Sequence, residues 1–75
     1  MAIDWTKTGY RIQELRRKRG VTQKEMASAA DIQQTALSRL ELGEKGMNCD
    51  TAAKIAGYLG VTLDYLLFGT GGKEA

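Results

Sequence analysis

The chain has 75 residues, 43% of them hydrophobic, with nine glycines, one cysteine and neither proline nor histidine. That length holds one small domain with a modest core, and the missing histidine removes the commonest general base and metal ligand. With no nucleophile–base pair and no cysteine pair, the residues argue against an enzyme, a metal site or a cofactor site. Net charge is only +2, yet residues 7–24 carry seven basic groups against the single acid Glu14, a local +6 that leaves −4 on the rest; such asymmetry suits a basic end that meets a polyanion.

Without proline, and with its glycines mostly between apolar-periodic segments, the chain reads as short helices joined by tight turns. Asp4 is placed to cap a first helix over about 5–19, in which Trp5, Ile12 and Leu15 recur at near-helical spacing before Gly20, a left-handed closing residue. Thr22-Gln23-Lys24-Glu25 is a capping box, with Val21 and Met26 at the two positions of a hydrophobic staple. This second helix runs to about Ala29. A break is required near Ala30-Asp31-Ile32, because the apolar phase shifts there, and Asp31 is the expected left-handed residue. A third helix follows from about Gln34 to Leu42, with the mediocre cap Gln33 before it and Gly43 as its stop.

After the loop 43–47, Asn48 or Asp50 caps a fourth helix whose Ala52, Ile55, Ala56 and Leu59 share a face and which ends at Gly60. Gly57 is unexpected inside it, fitting either close approach of another helix or an exposed, tolerated glycine. Thr62 caps a short fifth helix, with Asp64 in its first turn and Val61 and Leu66 as a second staple. The expected organisation is a domain over 1–69 followed by a flexible tail, 70–75. Cys49 cannot form an internal disulfide and reads as a small, partly buried apolar residue. A lone thiol, no apolar run of membrane-spanning length and no signal-peptide pattern together lead us to expect a cytoplasmic protein with no membrane partner.

Two short helices joined by a three- or four-residue turn in a small basic domain form a helix-turn-helix arrangement, and residues 22–42 fit it. Projecting the third helix at about 100° per residue turns Leu37 and Leu40 inward, with Gln33 near them, and turns Gln34, Thr35, Ser38 and Arg39 outward. Each of the outward four can bond a base or a phosphate: glutamine pairs with adenine, arginine with guanine, and hydroxyls with either. None is acidic.

These residues make the sequence resemble the lambda-repressor and Cro-like helix-turn-helix regulators, also called the xenobiotic-response-element family. The likeness rests on Thr22-Gln23-Lys24-Glu25-Met26-Ala27, on Leu37-Ser38-Arg39-Leu40-Glu41 with Gly43, and on Ile55-Ala56 followed by Leu59 through Leu67; it covers about residues 8–69. It implies an all-α, compact five-helix fold and a sequence-specific transcriptional regulator, a repressor, that binds double-stranded DNA without a cofactor or small-molecule ligand. By the same resemblance Gln34, Thr35, Ser38 and Arg39 face the major groove, and Gln23, Thr22, Arg16, Gln33 and Lys45 lie along the DNA backbone. Arg16 and Glu41 match a pair that bridges the first and third helices in some relatives, so Arg16 can brace the recognition helix as well. Two positions depart from the family pattern: Asp31 stands where glycine is usual, and Glu44 opposes Lys45 in a loop poorer in basic residues than in many relatives.

Such domains usually bind as two-fold dimers on half-sites about one helical turn apart. In the fifth helix Leu63, Leu66 and Leu67 cluster, which leaves Tyr65 and Phe68 pointing elsewhere; Leu63, Tyr65 and Phe68 are the expected homodimer surface. The competing reading is a protein-interaction module such as an antitoxin or anti-repressor, for which an apolar stripe on the third helix is the expected sign.

Overall fold

The computed structural model describes residues 2–71, which form five helices: α1 (Trp5–Lys18), α2 (Gln23–Ala29), α3 (Gln34–Glu41), α4 (Cys49–Leu59) and α5 (Leu63–Phe68). Among the described residues there is no strand, and no helix is long and apolar enough to cross a membrane. Each helix sends a fully buried side chain into one core: Ile12 from α1, Met26 from α2, Leu37 from α3, Ile55 and Leu59 from α4, and Leu66 from α5. In a chain this short no helix is stable by itself, so this shared burial is what holds all five.

The helix starts are those the capping residues dictate. Asp4 accepts from the N–H groups of Thr6 and Lys7 at 3.1 and 3.2 Å. Thr22 and Glu25 close a reciprocal capping box, with both backbone bonds at 3.0 Å. Asn48, of the two expected caps, takes the Thr51 N–H at 2.8 Å, and Thr62 takes that of Tyr65 at 3.1 Å. Gln33 makes no side-chain capping bond, in keeping with its chemistry. Val21 and Val61, each preceding a cap, pack on the core as staple residues.

The turn between α2 and α3 depends on Asp31, whose φ is +59°. That conformation lets the Asp31 N–H reach the Ser28 carbonyl at 3.2 Å and the Ile32 N–H reach that of Ala27 at 3.0 Å. The paired bonds satisfy the last carbonyls of α2 and turn the chain sharply into α3. An aspartate tolerates this region at some cost in strain, and the fold survives the absence of glycine.

Two features were not anticipated. Gly9, in the middle of α1, is buried where a Cβ would overlap the Leu40 carbonyl oxygen and lie 2.8 Å from that of Glu41. α1 and the end of α3 therefore touch backbone to backbone. The loop after α3 is packed on the start of α1: a Cβ at Gly46 would fall 2.7 Å from the Trp5 ring. Gly57, by contrast, faces open space, which favours the tolerated-glycine alternative within this chain. Cys49 is exposed rather than partly buried, because it is the first residue of α4 and the inward face of that helix begins at Ala52. Thr70 and Gly71 are exposed, and the remainder of the expected tail, 72–75, lies outside the described residues.

Candidate nucleic-acid interface

α3 is buried through Leu37, Leu40 and Glu41, so its opposite side is free. Gln34, Thr35 and Arg39 are exposed there, with Ser38 half-buried on the flank and Gln33 exposed at the helix entrance. The four residues expected to read bases thus share one polar face of an eight-residue helix. Arg39 has one recorded partner: its Nε stands 3.7 Å from Oε1 of Glu44, with both side chains more than half exposed.

The placement of this face depends on a buried ionic knot behind it. Glu41 points inward, its side chain 1% exposed, and its carboxylate is held from three directions. Arg16 donates from Nε to Oε2 at 2.7 Å and from Nη2 to Oε1 at 3.1 Å, a bidentate fork. Gln23 donates from Nε2 to Oε1 at 3.0 Å. The third guanidinium nitrogen of Arg16 bonds the Val21 carbonyl at 2.9 Å, in the turn between α1 and α2. Through one carboxylate α1, α2 and α3 are fixed to one another. Among the described residues no buried side-chain nitrogen or oxygen lacks a partner, so the charge is fully compensated.

The expected backbone-facing residues divide into two sets. Thr22, Gln33 and Lys45 are exposed. Gln23 and Arg16 are drawn into the knot, Arg16 with only 12% of its side chain exposed and all three of its nitrogens bonded. The Gln23 amide nitrogen still carries a second N–H beyond the one spent on Glu41. The Thr22 carboxylate partner, Glu25, is held below the usual carboxylate value of 4.5 by the bonds it accepts from the Thr22 backbone and hydroxyl.

Not all of the basic stretch serves a surface field. Arg11 donates from Nε to the Leu66 carbonyl at 3.0 Å, and the Thr8 hydroxyl donates to that of Leu67 at 3.0 Å, so both satisfy the C-terminal end of α5. Lys18 pairs with Glu14 at 3.3 Å. Lys7, Arg17 and Lys24 are exposed. The clamp of α1 on α5 was not read from the sequence, since a threonine and an arginine one turn apart on a helix look like surface residues.

Leu63, Tyr65 and Phe68 are half-buried, and Leu63 and Tyr65 pack partly on the core. The most exposed large apolar side chains lie elsewhere: Tyr10 and Leu42, each 62% exposed, and Tyr58 at 38%.

Comparison with known proteins agrees with this geometry. Residues 9–72 match the family described as a helix-turn-helix domain. The HTH-type transcriptional regulator ImmR of Bacillus subtilis (strain 168) is 39% identical over 59 residues, 79% of this chain and 46% of that protein. The chain therefore spans just under half the length of this relative. Among solved structures, the P22 c2 repressor protein in complex with a synthetic operator superposes with a TM-score of 0.81 at 27% identity, covering 84% of this chain and 96% of that one. The restriction-modification controller protein C.AhdI from Aeromonas hydrophila gives 0.79 at 25% identity, covering 85% and 97%. The clp gene regulator ClgR from Corynebacterium glutamicum gives 0.80 at 26% identity, covering 87% and 69%. The chain belongs to the helix-turn-helix domain family, among the lambda-repressor and Cro-like transcriptional regulators.

Proposed function

We propose that this chain is a sequence-specific reader of double-stranded DNA, acting in the cytoplasm as a transcriptional repressor and binding as a homodimer to a two-fold-symmetric operator. The observation that carries the proposal is the polar outer face of α3, braced from behind by the Arg16–Glu41–Gln23 knot. A recognition helix gains specificity only if its side chains are held in fixed register with the base edges, and a rigid seat supplies that.

In this reading Gln34, Thr35, Ser38 and Arg39 meet bases in the major groove. Gln33, Lys45 and the second N–H of Gln23 meet phosphates, which position the domain without reading sequence, while Thr22, whose N–H and hydroxyl both donate to Glu25, contributes by capping α2 beside them. Arg16 contributes by bracing α3, since its nitrogens are spent inside the domain. Leu63, Tyr65 and Phe68 on α5 form the contact between two copies, and one domain spans residues 1–69. The P22 c2 repressor, similar over 96% of its chain, was solved on a synthetic operator, which supports the same mode of docking here. A protein-interaction module would instead present an apolar stripe on α3, and that face is polar.

Selection of preferred sequences from random duplex DNA at two salt concentrations tests the proposal. The expected result is an enriched two-fold-symmetric site, bound less tightly at the higher salt. No enrichment together with no binding at low salt would overturn it.

A further inference from the structure

The last turn of α3 ends in a way that ties Glu44 to Arg39. The Glu44 N–H bonds the carbonyl of Arg39 itself at 3.0 Å, and the Gly43 N–H bonds that of Leu40 at 3.1 Å. Gly43 takes the left-handed conformation that this closure needs, with φ +75°. A Cβ there would also fall 2.7 Å from the Thr6 Cα, so the turn is pressed against α1 and has little freedom to drift. The position of the Glu44 backbone relative to Arg39 is thus set by the helix cap, and the side chains meet through Nε at 3.7 Å. At that distance the two form an ion pair and not a hydrogen bond, and the two terminal nitrogens of the Arg39 guanidinium have no partner among the described residues, so they are left for another.

From this geometry we infer that Glu44 is a specificity-determining residue that acts through Arg39. The inference rests on the reading of α3 as the base-reading helix. An arginine on a recognition helix can satisfy itself in two ways: bidentately on guanine, which carries sequence information, or on the nearest phosphate, which carries none. A carboxylate beside Nε favours the first. It offers the guanidinium a lateral support that leaves the terminal fork free for a guanine edge, and it places a negative charge where a phosphate would have to come to capture the same side chain. The ion pair itself is exposed and adds little stability. Its effect lies in making the wrong partner worse, a repulsive element that raises the ratio of specific to non-specific binding. The acid in the loop after α3 therefore lowers total affinity and raises discrimination.

The test begins with the site selected by the wild-type protein. Binding of wild type, Glu44→Gln, Glu44→Lys, Arg39→Ala and the double variant Arg39→Ala/Glu44→Gln is then measured on that site and on a random-sequence duplex of equal length. Glu44→Gln is expected to tighten binding to the random duplex by about two- to fivefold, the size of one exposed charge contact, and to tighten the selected site less, so that the specificity ratio falls. Glu44→Lys lowers the ratio further and steepens the dependence of log K on log salt by about one. In the Arg39→Ala background, Glu44→Gln is expected to leave the ratio unchanged. If Glu44→Gln shifts both duplexes equally in the wild-type background, or shifts neither, the inference is overturned while base reading by α3 stands. A wild-type selection that enriches nothing overturns base reading itself.

Discussion

Arg16→Met removes the guanidinium from a carboxylate that is only 1% exposed, while keeping an unbranched side chain in place of the aliphatic stem. Afterwards Oε2 of Glu41 has lost its 2.7 Å donor, and Oε1 keeps a single neutral donor, the Gln23 amide at 3.0 Å. Breaking a buried pair by taking one partner costs about 3–5 kcal/mol, because an uncompensated charge stays behind. A domain of this size is worth roughly 4–11 kcal/mol in all, so the single substitution removes a large part of its stability. The assay is urea unfolding followed by circular dichroism, where a slope of about 1 kcal/mol per molar turns the loss into a midpoint lower by about 3–5 M. The double variant Arg16→Met/Glu41→Leu removes both charges and should recover most of the loss, with a coupling of about 2–3 kcal/mol. A loss below about 1 kcal/mol in the single variant, the level of an exposed pair, would refute the view that this knot holds α3 in place.

Gly9→Ala should cost about 1–3 kcal/mol, since its methyl group would overlap the carbonyl end of α3 and force the two helices apart; thermal unfolding checks this, and an unchanged or raised midpoint would contradict the backbone contact. Glu25 has a folded-state pKa below 4.5, so its contribution to stability is complete above that value and is lost as pH falls through the lower folded-state value. Urea midpoints measured from about pH 6 to pH 3 should therefore fall less steeply on the acid side for Glu25→Gln than for wild type, and equal slopes would show that the capping carboxylate does not titrate as described.

How far the sequence carried the account follows from the range of the interactions involved. Caps are local chemistry: Asp4, Thr22 and Thr62 bond N–H groups two or three residues away, and each was legible from its position before an apolar-periodic run. Asp31 was legible as the left-handed residue because the hydrophobic phase shifts across Ala30-Asp31-Ile32 and an aspartate tolerates that conformation better than most residues. The outer face of α3 followed from the inward Leu37 and Leu40, since one buried stripe fixes the opposite one. The Arg16–Glu41 contact was available only through family resemblance, because a bond across 25 residues leaves no periodic trace. The Arg11 and Thr8 bonds to α5, across 55 and 59 residues, had no such aid. Gly9 did leave a signal: a glycine inside a helix costs about 1 kcal/mol relative to alanine and asks for a packing reason, which here is the carbonyl end of α3. Cys49 was misplaced because small apolar character says nothing about the first turn of a helix, where the inward face has yet to begin.

Base reading by α3 stands or falls on Arg39→Ala, its binding measured against a full set of single-base variants of the selected site. Discrimination should collapse at one base pair in each half-site, by about 1–3 kcal/mol, with preferences elsewhere retained. An equal loss of affinity on the selected site, its variants and random duplex would contradict base readout and reduce Arg39 to a phosphate contact.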